Sequence, residues 1–314
     1  MKLLITGGNG FVGRNLSLEA LEWGFSVRVA TRARSAFSEA LECVTTGDID
    51  GSTDWLNALK SCDSVVHLAA RTDFTHTSAS ASLIEMQNVN VDGALALARQ
   101  AAAAGIRRFI YISSIKVNGE ATCLGKPFTA EDTPDPEDAY GLSKAEAEAG
   151  LRQIAEETGM EVTIIRPPLV YGPGVKGNFA SLIKWLKRPV VLPFGAATKN
   201  RRSLVALDNL IDLILTCVNH PKAANETFLV SDGEDLSTAE LLQRIGKIMK
   251  RRIVLLSIPV ELLVFIARLL GKKAVAQRLF GSLQVDIGKT CELLNWKPRL
   301  SVDQGLRRAV EQRG

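Results

Sequence analysis

Short apolar runs rich in β-branched residues alternate, through the first half of the chain, with segments whose apolar positions recur every three or four residues. The short runs predict strands, and their sequences are KLLIT, SVRVAT, LECVTT, SVVHLA, RFIYIS and EVTIIR. A helical period lies between several of them, for example in the segment that carries Val12, Leu16, Ala20 and Trp23. This alternation is typical of a parallel sheet with helices on both faces. The pattern therefore predicts an α/β fold built on a doubly wound parallel sheet.

The pattern loosens after Arg166 into loops rich in proline and glycine, followed by scattered helical segments. This change predicts a smaller, mainly C-terminal α+β domain that would bind a substrate. We expect the sheet domain to comprise residues 1–166 together with about 203–220. The smaller domain then comprises about 167–202 and 221–314.

One apolar segment, residues 253–271, is nearly long enough to cross a bilayer. It contains Pro259, Glu261 and Arg268, each of which is costly in a spanning helix. Basic residues flank it on both sides: Lys250, Arg251, Arg252, Lys272 and Lys273. We expect a short strand, a break at the proline and a core-facing helix, so that membrane contact is not expected. The alternative is peripheral contact with a membrane.

The composition narrows the choice of partner and compartment. The formal net charge of +4 is mild and spread out, without basic clusters among aromatic residues, so nucleic acid is not an expected partner. A net charge of this kind is more compatible with small anionic ligands such as nucleotides. The 5 cysteines stand far apart without a CxxC pair, and there are only 3 histidines, which argues for a reducing compartment and against structural zinc. No signal peptide is visible, and the expected location is the cytoplasm.

The segment TGGNGFVG, residues 6–13, follows the first predicted strand and opens the first predicted helix. Gly7 allows a tight turn, Gly10 lets the backbone approach a pyrophosphate, and Gly13 lets the helix pack close to the strand. The helix N-terminus beside the turn favours an anion. A glycine-rich turn without a ligand is the alternative. The position at the start of a βαβ unit favours a Rossmann-type dinucleotide site.

Tyr140 and Lys144 stand four positions apart in a segment that predicts a helix, so they share one face. A tyrosine with a reference pKa of about 10 is a poor base at neutral pH unless a nearby cation stabilises its phenolate. Lys144 would supply that charge and also hold a nicotinamide ribose. Ser114, at the end of the preceding strand, would donate a hydrogen bond to the reacting oxygen. Together the three predict a site for hydride transfer, although each alone could be an ordinary surface or strand-end residue.

The glycine spacing and six further motifs resemble the extended short-chain dehydrogenase/reductase family, of the NAD-dependent epimerase/dehydratase type. The motifs are GDI at 47–49, HLAA at 67–70, NVDG at 90–93, SSIKVNG at 113–119, YGLSK at 140–144 and RPPLVYGPG at 166–174. The resemblance covers essentially the whole chain. It implies catalytic roles for Ser114, Tyr140 and Lys144, with Asn90 as a helix-bending residue that supports the site. Ser113 is the alternative to Ser114, which the family register favours.

The resemblance also implies the residues that hold a nicotinamide dinucleotide. Asp48 would contact the adenine, and the apolar turn after the fourth strand would line the cofactor. The implied set is Gly7, Gly10, Phe11, Val12, Gly13, Thr31, Arg32, Arg34, Asp48, Ile49, Leu68, Ala69, Ala70, Ile112, Tyr140, Lys144 and Pro167. Members of the family commonly form homodimers through two paired helices, and we expect a homodimer here.

RPPLVYGPG followed by GNF resembles the nucleotide-sugar members of the family, which implies a UDP-sugar substrate. Asn178 and Phe179 would hold the uridine. Arg202 would grip the diphosphate, because its planar fork gives paired charge-assisted hydrogen bonds. Arg201 is the alternative and Arg278 a further candidate, and any of the three could instead be surface charge.

The chain departs from the family pattern at Lys116 and Asn118, where relatives often carry a small residue and a tyrosine in SSxxVYG. Lys116 could point towards the substrate or be a solvated loop lysine. We favour the solvated lysine.

The second predicted strand ends in VRVATRARS, with arginines where a ribose-binding carboxylate would be expected. Arg32 and Arg34 would meet the 2′-phosphate of NADP, and one charge-assisted hydrogen bond would give roughly ten- to a hundredfold preference for it. We therefore expect NADP(H), with NAD bound through Thr31 as the alternative. An epimerase returns its hydride and keeps NAD, whereas a net reductase exchanges spent cofactor and is best driven by NADPH.

These features predict NADPH-dependent reduction at C4 of a UDP-linked 4-keto-6-deoxy-N-acetylhexosamine. RRSLVALDNL and VSDGEDLST resemble bacterial proteins of surface-polysaccharide gene clusters, which implies a role in O-antigen or lipopolysaccharide precursor synthesis. The first alternative is a UDP-hexose 4-epimerase, acting on UDP-glucose or UDP-N-acetylglucosamine with bound NAD. The second is a catalytically silent NADP-binding regulator.

Overall fold

The computed structural model describes residues 1–33, 41–72, 79–175, 177–188 and 191–311. The strands are β1 (Lys2–Thr6), β2 (Ser26–Thr31), β3 (Glu42–Thr45), β4 (Ser64–His67), β5 (Arg108–Ile112), β6 (Glu161–Arg166), β7 (Leu169–Tyr171), β8 (Val191–Leu192), β9 (Leu204–Ala206), β10 (Thr227–Leu229) and β11 (Val254–Leu255). The α-helices are α1 (Phe11–Glu22), α2 (Leu56–Leu59), α3 (Ala79–Met86), α4 (Gly93–Ala103), α5 (Ala139–Thr158), α6 (Gly177–Leu186), α7 (Leu207–Asn219), α8 (Thr238–Ile248), α9 (Val260–Leu269), α10 (Lys273–Phe280), α11 (Gly288–Leu294) and α12 (Val302–Glu311). A π-helical turn, Gln87–Asp92, joins α3 to α4, and short 3-10 turns span Ile115–Val117 and Pro221–Ala223.

Seven parallel strands form the central sheet in the order β10-β6-β5-β4-β1-β2-β3. The chain runs outward from β1 to β3, then returns to the other side of β1 with β4. The order therefore reverses between β1 and β4, and ligands of such sheets bind outside the carboxyl ends of the strands at this point. The predicted α/β fold with a Rossmann-type doubly wound sheet is confirmed.

Apolar side chains cover both faces of this sheet. On one face α1 and α7 pack over the strands, with Leu16 and Leu213 fully buried. On the other face α4 and α5 do so, with Leu97 and Leu151 fully buried. Strands buried on two faces need apolar residues at successive positions, which is why their sequences read as continuous apolar runs.

The chain after β6 builds a smaller group of elements with a core of its own. Phe179, Leu186, Leu242 and Leu306 are buried in this core. Two short parallel pairs, β7 with β9 and β8 with β11, belong to this part of the chain. Strand β10 instead extends the central sheet beside β6, although its sequence lies in the range predicted for the smaller domain. The division into two domains otherwise stays a prediction.

The apolar segment 253–271 forms strand β11, a break at Pro259 and helix α9. The prediction that this helix faces the core is wrong, because none of its residues is buried and Leu269 keeps 71% of its surface exposed. The reason is that α9 packs against α10, itself a surface helix in which Ala276 is the only buried residue. Among the described residues, no helix is long and apolar enough to cross a membrane.

Candidate active site

The glycine turn after β1 forms one wall of the crevice between β1 and β4. Gly7 has a φ of 68°, a conformation that favours glycine. A Cβ on Gly13 would lie 2.3 Å from the Gly7 carbonyl oxygen, so α1 can start this close to the turn only because residue 13 is a glycine. Gly10 caps α1 without a side-chain hydrogen bond, and the first turn of α1 carries no acidic residue. The backbone N–H groups of Phe11 and Val12 lack intrahelical acceptors and are open to an anion such as a pyrophosphate.

The turn after β4 borders the same crevice, beside the glycine turn. The side-chain oxygen of Thr6 accepts hydrogen bonds from the backbone N–H groups of Leu68 at 3.2 Å and Ala69 at 3.3 Å. A Cβ on Gly7 would lie 2.8 Å from the backbone nitrogen of Ala69, so the two turns lie directly against each other. The structure thus brings the predicted apolar turn, with Ala70 beside it, next to the glycine turn, at the place where sheets of this type bind a dinucleotide.

The end of β2 is where the adenosine half of a dinucleotide would lie. The buried hydroxyl of Thr31 has no hydrogen-bond partner within the described chain. Arg32 follows it, and its Nε lies 2.9 Å from Oδ1 of Asp48, with both side chains largely exposed. Ile49 packs against the core beneath α4, and Arg34 lies outside the described residues. Of the two arginines predicted to meet a 2′-phosphate, Arg32 is therefore already paired with a carboxylate.

Helix α5 carries Tyr140 and Lys144 on one face. The carboxylate of Asp138 caps this helix and accepts a hydrogen bond from a backbone N–H of its first turn at 2.7 Å. Lys144 is buried, and its Nζ donates to the carbonyl oxygen of Ile112 at 2.9 Å. The same Nζ lies 4.4 Å from the ring centre of Tyr111 and 5.9 Å from that of Tyr140. The charge of Lys144 is therefore held close to the rings of both tyrosines.

Burial shifts the pKa values of these two groups in opposite directions. It lowers the pKa of Lys144 to about 7, although the carboxylate of Glu148 opposes this shift. Burial, together with the charge of Asp138, raises the pKa of Tyr140 above its ordinary value. The phenol is therefore the stable form of the tyrosine. Lys144 changes its protonation state near neutral pH. Opposed shifts in adjacent groups are typical of sites that transfer protons.

The two serines at the end of β5 have different surroundings. Ser113 is buried, and its hydroxyl donates to Oε1 of Glu148 at 2.6 Å. Ser114 lines a large cavity together with Tyr140, and its oxygen accepts from the backbone N–H of Lys116 at 3.2 Å. Since this oxygen acts as an acceptor, its proton is free to be donated to a ligand. The geometry favours Ser114 over Ser113 as the serine that faces a substrate.

Asn90 lies in the π-helical turn between α3 and α4. Its side-chain oxygen accepts from the backbone N–H of Arg71 at 2.7 Å, and its side-chain nitrogen donates at 3.0 Å to the carbonyl oxygen of the same residue. The nitrogen also donates at 3.0 Å to the hydroxyl of Ser143, which immediately precedes Lys144. Asn90 therefore joins the chain after β4 to α5, which is a positioning role.

The sequence motifs did not identify Glu148, which anchors α5. Arg166 at the end of β6 donates to both of its carboxylate oxygens, from Nε at 2.9 Å and from Nη2 at 2.6 Å. Both residues are only 2% exposed. Arg166 also donates to Oδ1 of Asn118 at 2.9 Å, which gives this departure from the family pattern a structural role. The signal in the sequence is the spacing of four positions that continues from Tyr140 through Lys144 to Glu148.

A cavity of about 1040 Å³ opens beside Ser114. Ile115 lines it, and its backbone N–H donates at 3.0 Å to the carbonyl oxygen of Pro167, so the chain segments after β5 and β6 meet at this wall. Phe179 of α6 lines another wall and is otherwise buried. Asn178 precedes it in α6, and its side chain lies outside the described atoms. The cavity is therefore shared by the central sheet and the smaller group of elements.

Two predicted arginines line the same cavity. Arg202 and Arg278 both face this cavity, and burial together with the charge of Arg278 lowers the pKa of Arg202. An anion between them would relieve this repulsion and accept hydrogen bonds from both. Arg201 lies outside the cavity wall and pairs with Glu240 at 3.4 Å. The structure thus favours Arg202 and Arg278 over Arg201 as candidates for binding phosphate groups.

Lys116 forms part of the cavity wall together with two acidic residues. Its Nζ lies 2.6 Å from Oε1 of Glu120 and also pairs with Asp138. Although burial lowers the pKa of Lys116, hydrogen bonds to these carboxylates raise it overall. The interpretation of a solvated loop lysine is therefore wrong. The loop folds over the start of α5 and holds the ammonium group between two carboxylates.

Comparison with known proteins extends these observations. A model of the NAD dependent epimerase/dehydratase family matches residues 3–231. A UDP-glucose 4-epimerase from Vibrio cholerae is 46% identical over 310 residues, which are 98% of this chain and 94% of the relative. An N-acetyl-alpha-D-glucosaminyl-diphospho-ditrans,octacis-undecaprenol 4-epimerase from Escherichia coli O157:H7 is 29% identical over 83% of this chain and 76% of its own. The structure of UDP-glucuronic acid 4-epimerase from Bacillus cereus in complex with NAD has a TM-score of 0.79 at 20% identity, covering 99% and 98% of the two chains.

The comparisons correct the prediction of net reduction at C4. The relative that is 46% identical over 98% of this chain is a 4-epimerase, so the alternative agrees better than the reductase. The prediction of a reductase rested on the arginines at the end of β2. Arg32 suggested an NADPH site, yet its guanidinium pairs with Asp48 at 2.9 Å. The expectation of an NAD(P)-dependent enzyme of this family is confirmed.

The buried pair on α5 predicts a specific loss of stability. Glu148→Gln leaves the Arg166 guanidinium buried without a counter-charge, and we expect the free energy of unfolding to fall by about 3 kcal/mol. Glu146→Gln, on the exposed side of the same helix, should change it by less than about 0.5 kcal/mol. Urea unfolding followed by tryptophan fluorescence measures both. Equal unfolding midpoints for the two variants would contradict the anchoring role.

Proposed function

The chain belongs to the NAD dependent epimerase/dehydratase family, and on this premise we propose that it interconverts the two C4 epimers of a UDP-linked hexose. One observation carries the proposal: Ser114 and Tyr140 line the same cavity as Arg202 and Arg278. A sugar joined to a diphosphate can therefore reach the serine and the tyrosine while its phosphates meet the arginines. The Vibrio cholerae relative, 46% identical to this chain, is a UDP-glucose 4-epimerase, which supports a UDP-linked substrate and a reaction at C4.

The residues around the crevice fit NAD as the resident cofactor. The glycine turn and the first N–H groups of α1 would hold the pyrophosphate. The hydroxyl of Thr31, which has no partner in the described chain, would bind the adenosine ribose, and Lys144 the nicotinamide ribose. When bound, NAD supplies the removal of a hydride from C4 of the sugar and its return to the same carbon.

We propose NAD rather than NADP. Asp48 lies 2.9 Å from Arg32 at the end of β2, so the guanidinium charge is already balanced by a carboxylate. A 2′-phosphate placed there would gain less from the arginine and would be repelled by the acid. This argument concerns Arg32 only, because Arg34 lies outside the described residues.

Tyr140 would carry the proton of the reacting oxygen. Its phenolate would take the proton from O4 of the sugar, and the phenol so formed would later give it back, so no net proton is released. Taking the proton requires the phenolate, which a protonated Lys144 stabilises from beneath the ring. Ser114 would donate a hydrogen bond to O4 and keep it in place during both transfers. The three side chains then perform the same steps for either epimer.

Epimerisation requires the sugar to present both of its faces to one fixed set of groups. Tyr140 is fixed by α5, so the sugar must turn while its diphosphate stays held by Arg202 and Arg278. A cavity of about 1040 Å³ leaves space for this rotation. The hydroxyls of the turning sugar would meet Lys116 and Asp138, which also line the cavity. Phe179 and Asn178 would hold the uridine.

The assembly and the compartment remain predictions. We expect a homodimer formed through two paired helices, in the cytoplasm. The catalytic groups proposed here all come from one chain, so the chemistry described does not require residues from a second copy.

The proposal predicts turnover without added cofactor. The purified protein should convert UDP-galactose to UDP-glucose while consuming no added NADPH, because the hydride returns to the sugar. Tyr140→Phe should abolish conversion yet retain bound NAD, since the glycine turn is untouched. Product analysis by chromatography, together with identification of the nucleotide released on denaturation, measures both. Binding of UDP-sugar and cofactor without conversion would instead indicate a regulator and contradict the proposal.

The adjacent serines provide a matched pair of variants. Ser114→Ala should lower kcat by roughly a hundredfold or more, because the hydrogen bond to the reacting oxygen is lost. Ser113→Ala should keep kcat within a few-fold but lower the free energy of unfolding by about 1–2 kcal/mol, because Glu148 loses a buried partner. Steady-state kinetics and urea unfolding distinguish the two effects. The reverse assignment of effects would make Ser113 the reacting serine.

A further inference from the structure

Helix α9 presents an apolar surface that no other described element covers. We define the α9 face by its exposed apolar residues, which are Leu262, Phe265, Ile266, Leu269 and Leu270. They are 48%, 58%, 43%, 71% and 65% exposed, respectively. The first four recur at helical spacing and form one stripe. Proteins rarely leave a contiguous apolar stripe of this kind exposed, so it indicates a partner.

The charges around the α9 face distinguish between possible partners. Exposed basic residues lie before the helix in the sequence, in its last turn and after it: Lys250, Arg251, Arg252, Arg268, Lys272 and Lys273. Glu261 is the one acidic residue in the sequence from 250 to 273. Two copies of the chain that met through this face would bring like charges together, which disfavours association. An anionic surface would gain from the basic residues and the apolar stripe at once.

We propose that the α9 face attaches the protein to the surface of a bilayer that contains anionic phospholipids. The helix has 10 residues, half of what a spanning helix needs, so it lies along the interface. Its apolar stripe would enter the boundary between headgroups and acyl chains. The exposed basic residues at its C-terminal end, Arg268, Lys272 and Lys273, would meet the phosphate groups of the lipids.

The α9 face is connected to the large cavity through α10. Helix α10 packs against α9, and Val275, Arg278 and Leu279 of α10 line the cavity. Attachment would therefore place this wall of the cavity beside the bilayer. The inference goes beyond the proposed epimerase activity and does not depend on it, because no residue of the α9 face lines the cavity.

The first test removes apolar contacts. Full-length protein is sedimented with vesicles of phosphatidylglycerol and phosphatidylcholine, and with vesicles of phosphatidylcholine alone. Wild type should bind the anionic vesicles, less at high salt, and should bind phosphatidylcholine poorly. Phe265→Ser combined with Leu269→Ser should lower the partition coefficient on the order of tenfold or more. Leu56→Ser, a residue 65% exposed on α2, should leave it unchanged.

The second test reverses charges. Lys272→Glu combined with Lys273→Glu should lower binding to anionic vesicles by more than about tenfold, since each basic residue near a lipid surface contributes about fivefold in affinity. The same exchange at the exposed Lys60 and Lys222 should have little effect. All of these variants should keep wild-type turnover of UDP-hexose, because none of the changed residues lines the cavity.

Three results would overturn the proposal. The first is no binding of wild type to the anionic vesicles. The second is equal binding by the α9 variants and their controls. The third is self-association in analytical ultracentrifugation that Phe265→Ser with Leu269→Ser abolishes, because the α9 face would then be covered by a second copy of the chain.

Discussion

The bidentate ion pair between Glu148 and Arg166 is the constraint on which the candidate site depends. Both charges are buried, at donor–acceptor distances of 2.9 and 2.6 Å, so removal of Glu148 would leave the Arg166 guanidinium buried without a counter-charge. The pair joins α5 to the end of β6, and the hydroxyl of Ser113 joins it to the end of β5. Helix α5 cannot shift along the sheet without breaking these bonds. Tyr140 and Lys144 are therefore held at a defined position above the strands.

This position determines the chemistry of both residues. An exposed lysine stays protonated to a pH of about 10, whereas burial lowers the pKa of Lys144 to about 7. Its charge can then respond to charges that arrive beside it. The carbonyl oxygen of Ile112 fixes the ammonium group, and burial also raises the pKa of Tyr140. One packing arrangement thus shifts the pKa values of two adjacent groups, and formation of the tyrosine phenolate depends on the positive charge of Lys144 beside it.

Much of the fold could be predicted because strands buried on two faces require apolar residues at successive positions. The glycine turn could be predicted because it depends only on residues that are neighbours in the sequence. The partners of buried charges could not, because Glu148 and Arg166 meet through tertiary structure. The same limit applies to Arg32, because the sequence does not show that its guanidinium lies 2.9 Å from Asp48, which follows a different strand. For the segment that forms α9, the spacing of the apolar residues indicated a helix but did not show that its apolar side stays exposed. The roles of the site residues themselves remain predictions.

The central claim is that the hydride leaves C4 of the sugar and returns to the same carbon. UDP-galactose with deuterium at C4 tests this directly when it is incubated with the enzyme, unlabelled UDP-galactose and added NAD, and the products are analysed by mass spectrometry. We expect UDP-glucose that retains deuterium at C4, with no transfer to the unlabelled sugar or to the added nucleotide. Deuterium in the added nucleotide, or its loss to solvent, would contradict the account.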